Sequence, residues 1–425
     1  MVNAFVVAAP ASGSGKTMIT LGLLRALRNR GVRVASAKVG PDYIDPRFHE
    51  AASGQPCFNL DPWAMSAGMA SSLLATPAAD LVIIEGVMGL FDGPEGTRGS
   101  TADLAQDLGL PIVMVLDASH QAQSIAALAQ GFVNFRPELR FAGIILNRVA
   151  SDRHAALLMS ALAPTHVPIL GVVRRDDSLS WPSRHLGLVQ AKENQQLETF
   201  IESASSGVAR ETNLDNLLTI GSELRFPDSN HIFLPPPGQR TAIAHDLAFS
   251  FTYPHVLQDW KRSGASLSFF SPLGDEAPDR QADAVFLPGG YPELHAGRLA
   301  QSHTFLNGLR KSTALVYGEC GGYMVLGDAI TDAQGQAHKM AGLLPLTTSF
   351  ATRKLHLGYR QLMPLAGPWK RPLRAHEFHY STLEREGKAD PLFRATDATG
   401  RPLGNIGLKR GSVMGSYAHV ICEAP

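Results

Sequence analysis

Apolar residues fall into short solid runs separated by stretches of helical period. Phe5-Val6-Val7-Ala8 is the first run. From Lys16 to Arg28, Ile19, Leu23, Leu24 and Leu27 then share one helical face. Further runs at Val32–Lys38, Leu81–Ile84, Ile112–Leu116, Gly143–Leu146 and Ile169–Val173 predict five more strands. Strands this apolar are covered on both faces, which predicts an α/β fold with a doubly wound parallel sheet. Near residues 205–240 the pattern degrades, and Phe226–Arg240 carries four prolines, as a linker would. A second alternating region follows: a strand at Thr241–Ala244, a helix to about Lys261, then strands at Ser266–Phe270 and Ala284–Leu287. A helix near Phe305 and a strand ending before Cys320 complete it. The expected division is a domain over 1–200, a linker over 201–240 and a domain over 241–425.

The chain has 425 residues, 44% hydrophobic and 18% charged, which suits a globular protein of two or three domains. Lys plus Arg equals Asp plus Glu, 38 each. That neutrality argues against a nucleic-acid or anionic-membrane binder relying on bulk charge. No run reaches the ~18 apolar residues of a membrane span, and the N-terminus reads as a buried strand rather than a signal peptide. Three cysteines without CxxC spacing argue against a disulfide scaffold or zinc site and favour the cytoplasm.

Between the first strand and the first helix lies AAPASGSGKT, Ala8–Thr17. Successive backbone N–H groups in Ser12, Gly13, Ser14 and Gly15, ahead of a helix N-terminus, make a cradle for ATP phosphates. Lys16 would reach the terminal phosphates and the Thr17 hydroxyl would bind Mg²⁺. Pro10 stands where such loops usually carry their first glycine. Glu85 ends the third expected strand and is a candidate metal ligand, because open α/β sheets bind ligands at that edge. Asp92 follows in EGVMGLFDG, with a helix cap or loop charge as its other reading. Lys38, Asp42, Tyr43 and Asp45 in KVGPDYIDP sit at the same edge, where plain turn chemistry is the rival reading.

In the second half, YGECGGY places Cys320 where a strand turns into a helix. A sharp turn of this kind exposes a nucleophile, and its neighbours must be small, as Gly318, Gly321 and Gly322 are. The Gly321 N–H can face a developing oxyanion, and Gly289 and Gly290 in LPGGYPE can complete the hole. A thiol of ordinary pKa needs a base. Of the histidines in this half, His419 in MGSYAHV fits best.

APASGSGKT, KVGPDYIDP, EGVMGLFDG, LPGGYPE, YGECGGYMVLG, LGYR, AHEFHYS and SYAH together resemble the cobyrinic acid a,c-diamide synthase family, in order along nearly the whole chain. Ser183–Leu188 is similar to a further family segment. The resemblance implies a dethiobiotin-synthetase-like ATPase domain followed by a class I glutamine amidotransferase domain of flavodoxin-like α/β fold. It implies a ligase of cobalamin biosynthesis that uses ATP, Mg²⁺ and glutamine. Its substrate would be a corrinoid macrocycle, hydrogenobyrinate or cobyrinate, amidated at the a and c acetates through acyl phosphates. Cys320 takes the nucleophile position and His419 that of its partner; Asp42, Tyr43 and Asp45 match the loop near the substrate carboxylate. Asn147 ends the fifth expected strand in IILNR; similar ATPases set such an asparagine against adenine, and a strand-end cap is the other reading. Ordinary class I members orient the histidine with a glutamate two places on; Ile421 stands there, as the resemblance to the branch with a cysteine–histidine dyad implies, and what orients the ring stays open. By resemblance alone a homodimer is expected. Rival readings are a nickel-sirohydrochlorin a,c-diamide synthase, a cobyric acid synthase, and a partition-type switch ATPase joined to an inactive amidotransferase fold.

Overall fold

The computed structural model describes residues 2–96, 98–176, 196–224 and 234–424. Two compact units result: Met1–Gly93 with Arg98–His231, and Pro94–Thr97 with Ile232–Pro425. The Ser183–Leu188 segment lies outside the described residues.

The strands of the first unit are β1 (Asn3–Ala8), β2 (Val34–Val39), β3 (Cys57–Leu60), β4 (Leu81–Glu85), β5 (Ile112–Asp117), β6 (Phe141–Val149), β7 (Ile169–Arg174) and β8 (Ser222–Glu223). Between them run α1 (Lys16–Asn29), α2 (Asp45–Ser53), α3 (Ala67–Leu74), α4 (Thr101–Leu108), α5 (Ile125–Phe135), α6 (Asp152–Leu162), α7 (Leu197–Glu211) and α8 (Leu214–Ile220). Seven parallel strands pair in the order β3-β2-β4-β1-β5-β6-β7. Short β8 pairs antiparallel with Asn3 and Ala4, ahead of Val6, where β5 begins to pair with β1. Phe5, Val6 and Val7 are wholly buried, and each stabilises the sheet by roughly 1.5–3 kcal/mol. The chain reverses direction of winding around β1. The loops after β1, β2 and β4 therefore meet at the carboxyl edge of the sheet, where such folds bind ligands.

Two sequence expectations need correction here. A strand, β3, stands between the expected second and third strands. It is only four residues long, with Asn59 in its middle, so it carries no solid apolar run. Residues 201–224 are not linker. They complete α7 and form α8 and β8, and α7 buries Ile201, Ala204 and Val208. Spaced three and four apart, these residues make an apolar stripe, but a weak one of small side chains. The first unit thus extends well past residue 200.

The second unit begins with β9 (Arg240–Ala244), α9 (Pro254–Arg262), β10 (Ser266–Phe270), β11 (Ala284–Leu287), α10 (Ala296–Gln301), α11 (His303–Lys311), β12 (Leu315–Glu319) and α12 (Gly321–Leu326). Then come β13 (Ala329–Thr331), β14 (Ala337–Lys339), β15 (Leu346–Ser349), β16 (His356–Pro364), β17 (Leu373–His379), β18 (Thr382–Glu386), β19 (Asp390–Thr396), β20 (Pro402–Arg410), β21 (Val413–Ser416) and β22 (Ala418–Glu423). The larger sheet runs β10-β9-β11-β12-β21-β20-β19-β16-β17-β22, and a smaller one runs β14-β13-β15-β18. Pairing is parallel from β10 to β21 and antiparallel beyond, so a parallel α/β core carries an antiparallel extension. Its core packs Phe249, Leu299, Phe305, Val316 and Leu326 around the turn that holds Cys320. Among the described residues no helix is long and apolar enough to cross a membrane.

Candidate active sites

In the first unit, the loop from Ala9 to Gly15 turns sharply because Gly13 and Gly15 adopt φ of 81° and 90°, a region L side chains avoid. A Cβ on Gly15 would also lie 2.1 Å from Asn147 Nδ2. Ser12 and Gly13 are exposed, open to a ligand, while Ser14 and Lys16 are buried. The Ser14 hydroxyl donates to the Ala11 carbonyl at 2.9 Å. Asn147 donates its amide to the Ser14 carbonyl at 3.0 Å, and Arg148 donates to the Gly13 carbonyl at 3.0 Å while pairing with Asp117. Here Asn147 thus holds the phosphate loop from behind.

The Lys16 ammonium donates to the Met88 carbonyl at 2.6 Å. Burial lowers its pKa, and Lys38 adds to that against the pull of Glu85 and other carboxylates. Glu85 is the hub. Register sets it beside Lys38 on β2 and Val7 on β1. Its Oε1 accepts from Thr17 Oγ1 at 2.6 Å and from Lys38 Nζ at 2.8 Å, and its Oε2 lies 2.6 Å from His49 Nε2. Lys38 Nζ also pairs with Asp45 at 2.7 Å. Burial opposes ionisation of Glu85, but Lys38 and His49 overcome it and hold the carboxyl well below its usual range. Burial likewise opposes the Lys38 charge, and Asp45 and Glu85 raise it regardless. Burial would lower the His49 pKa too, yet Cys57 Sγ at 3.5 Å and the Glu85 carboxylate raise it to about 10.

Asp42 plays a different part from Asp45. Its Oδ1 accepts from the Ile44 and Asp45 N–H groups at 2.8 and 3.0 Å, capping the turn into α2. Burial and the neighbouring Asp45 raise its pKa to about 6. Tyr43 follows it, half-buried in the same turn. Asp92 is exposed, and its Oδ2 accepts from Gly89 N–H at 2.8 Å, so it closes its own loop rather than joining the carboxylates around Lys38. Sequence reasoning missed His49 and Asn59. His49 lies one helical turn from Asp45 on α2, a spacing that puts both on one face. Asn59 donates to the Gly40 and Asp42 carbonyls at 2.9 and 2.6 Å, fixing the substrate-side loop.

Thr17 Oγ1, Glu85 Oε1 and Asp45 Oδ2 converge, with Thr17 2.6 and 3.5 Å from the two carboxylates. Hard oxygen donors of this kind fit Mg²⁺, which would share the two carboxylate oxygens with the Lys38 ammonium 2.7 and 2.8 Å away.

In the second unit, Cys320 has φ 46°, ψ −105°, a strained conformation for a residue with a Cβ, costing on the order of 1–3 kcal/mol. Its N–H donates to the Ser416 carbonyl at 2.8 Å and its Sγ lies 3.8 Å from the Phe378 carbonyl. The flanking glycines are required by contact. A Cβ on Gly322 would lie 2.0 Å from the Leu287 carbonyl, and one on Gly321 would lie 3.2 Å from Gly290 N. His419, on β22, rests against Gly289: a Cβ there would lie 2.2 Å from its Cε1. Cys320, Gly321, Gly289, Gly290 and His419 are thus drawn to the loop after β11. Burial raises the Cys320 pKa, helped by the field of Glu293 and Glu377. Burial also lowers that of His419 to about 3, with His376 and His379 adding to it.

Beside Cys320, the AHEFHYS segment builds a network on β16 and β17. Glu377 pairs with Arg360 at 2.8 Å and with His379 at 2.9 Å, and His379 also meets Ser381 at 2.9 Å. The His356 ring stacks on that of His379 with centroids 4.7 Å apart. His356, Glu377 and His379 place donor atoms within 4.8 Å of one another, close enough to share an ion. Both Glu377 oxygens are engaged by Arg360 and His379.

A phosphate loop with a convergent carboxylate–lysine cluster, and a cysteine elbow with a histidine beside two glycine-rich loops, define a two-part, nucleotide-binding glutamine amidotransferase. Residues 5–189 match the CobQ/CobB/MinD/ParA nucleotide binding domain, and residues 240–425 match the CobB/CobQ-like glutamine amidotransferase domain. Over 99% of its length the chain is 56% identical to the hydrogenobyrinate a,c-diamide synthase of Brucella anthropi, covering 98% of that relative. It is 51% identical to that of Rhizobium meliloti, across 99% of each chain. The chain belongs to the hydrogenobyrinate a,c-diamide synthase family.

Proposed function

We propose that the chain amidates the a and c acetate carboxylates of hydrogenobyrinate, using ATP and glutamine. The observation that carries this is the likeness over the whole length to synthases of that name. A carboxylate offers no leaving group. A substrate carboxylate oxygen attacks the γ-phosphorus of ATP, ADP departs, and an acyl phosphate forms. Lys16 and the loop N–H groups hold the phosphates, and Lys38 steadies the incoming carboxylate. Thr17, Asp45 and Glu85 would hold Mg²⁺, which when bound neutralises phosphate charge. In the other centre Cys320 gives its proton to His419 and attacks the glutamine amide carbon. The Gly289, Gly290 and Gly321 N–H groups face the oxyanion. Collapse returns the proton to the leaving nitrogen as ammonia, and water hydrolyses the thioester to glutamate. Ammonia displaces phosphate from the acyl phosphate, leaving the amide, phosphate and a proton.

The resemblance also supports a homodimer. The three free, buried cysteines support a cytoplasmic setting.

The test is mass spectrometry of hydrogenobyrinate, cobyrinate and nickel-sirohydrochlorin after incubation with ATP and glutamine. Two successive exchanges of hydroxyl for amide on hydrogenobyrinate are expected; no product from it refutes the reading. Cys320→Ser should end glutamine use and leave ammonia-dependent amidation intact.

A further inference from the structure

The glutaminase centre has a buried carboxylate that the mechanism above does not use. Glu319 ends β12 immediately before the nucleophile and is 5% exposed. Its Oε1 accepts from the Val420 N–H at 3.1 Å, the residue after His419. Its Oε2 lies 3.9 Å from His419 Nδ1. One carboxyl group therefore binds the backbone beside the histidine and stands at ion-pair range from its ring, just beyond hydrogen-bond reach. The backbone explains why it reaches. β12 pairs in parallel with β21, Glu319 opposite Ser416, and the chain then passes through Tyr417 into β22, which bears His419.

A carboxylate is an expensive occupant of this place. Tyr317, two residues earlier on the same face of β12, is fully buried, and Trp369 packs edge-on against it at 4.8 Å. Burial raises the Glu319 pKa to about 8 despite the Val420 and Tyr317 bonds. A leucine or methionine would fill such a space at less cost if filling were the only task. The position two residues after His419 offers no carboxylate. Ile421 is buried among apolar groups, and its carbonyl accepts from His255 at 2.8 Å.

We infer that Glu319 is the positioning residue of this centre. Its carboxyl group faces Nδ1 at ion-pair range, closes on it as proton transfer creates the imidazolium, and so leaves Nε2 for the thiol proton. The orienting carboxylate thus comes from the residue preceding the nucleophile. This inference rests on the Cys320–His419 reading above.

The experiment compares wild type with Glu319→Gln, which keeps an acceptor for Val420 N–H but removes the group that can ionise opposite the imidazolium. Glutaminase kcat should fall roughly ten- to hundredfold, with the glutamine KM within about twofold. Labelling of Cys320 by iodoacetamide, located by peptide mass spectrometry, should slow in parallel. Ammonia-dependent amidation should keep its rate, showing an intact first unit. Glu319→Asp, which keeps that ionisable group one methylene further back, should lose less kcat than E319Q. A kcat within twofold of wild type overturns the inference, as does a raised KM with unchanged kcat, or an equal loss in both variants. If wild type itself shows no glutaminase activity, the functional reading fails, a result distinguishable from failure of the Glu319 assignment alone.

Discussion

Glu85→Gln is the sharpest test of the phosphate-side cluster. The change keeps the side-chain shape and removes one charge from a group 1% exposed. In the native cluster that charge faces Lys38 Nζ at 2.8 Å and His49 Nε2 at 2.6 Å. Lys38 retains Asp45 at 2.7 Å, but His49 is left as a buried cation facing an amide. Removing one member of a buried pair costs about 3–5 kcal/mol, because the partner's desolvation is no longer compensated. With about 1.4 kcal/mol per decade, amides of β2 and β4 that exchange through opening of the whole sheet should exchange roughly two to three and a half decades faster. Hydrogen exchange followed by mass spectrometry at neutral pH measures this strand by strand. Because the second unit carries none of these contacts, β9 and β11 serve as the internal control. Adding Lys38→Met removes the other principal charge and should restore part of the protection. An E85Q acceleration below about fivefold, or a double variant no better than the single one, would refute the view that Glu85 is the electrostatic hub.

Other expectations follow from neighbouring groups. The His49 pKa is raised from an ordinary 6.5 to about 10. Native protein therefore holds a proton that unfolded chain has released, and its contribution is full below pH 6.5 and lost as pH rises through about 10. Urea unfolding of the first unit should show that decline, and His49→Gln should flatten it; an unchanged slope would show that His49 is not charged in the fold. Asn147→Ala removes the 3.0 Å bond to Ser14. It should weaken ATP and GTP binding alike, by roughly five- to tenfold for a lost bond of about 1 kcal/mol. A loss confined to ATP in a calorimetric titration would return Asn147 to the adenine.

How much of this was legible in the sequence depended on how locally it is encoded. β1 and α1 were readable because a solid apolar run and a 3.6-residue stripe flank a glycine-rich turn. β3 was not, since Asn59 serves the loop above it and breaks the run. The residues after 200 were hidden by small apolar side chains, and the antiparallel extension by half-exposed strands such as β16, whose alternation is imperfect. Of the sites, Lys16, Thr17, Lys38, Asp45 and Glu85 were found as pieces, because each ends or follows a strand. Their assembly into one ion-pair cluster depends on register, which residue types alone do not report. Asn147 and Asp92 also make backbone bonds that the residue types alone did not reveal. His49 and Glu319 were passed over for one reason. A histidine or glutamate beside a stronger signal is usually a structural residue, and only a measured distance separates the two cases.

The two centres put burial to opposite use. Around Glu85, burial works against the charges of Glu85, Lys38 and His49, yet these groups of alternating sign stand close enough to favour each other's ionised forms. Such a cluster is already polarised before ATP arrives, and phosphate and carboxylate groups enter by exchanging partners rather than by creating charge. Around Cys320, Glu377 pairs with Arg360 and His379, but desolvation dominates the thiol, His419 and Glu319 themselves. The thiol is raised, His419 is lowered to about 3 and Glu319 is raised to about 8, which favours the neutral form of each of these three groups. A thiolate–imidazolium pair must then be made during the reaction, in a place where water cannot stabilise it. Only fixed dipoles and a nearby carboxylate can do so, which makes the N–H groups of Gly289, Gly290 and Gly321 and the carboxylate of Glu319 parts of one electrostatic device. A neutral resting thiol is also a poor nucleophile toward stray oxidants. The same dryness that makes the centre slow at rest protects it until glutamine binds.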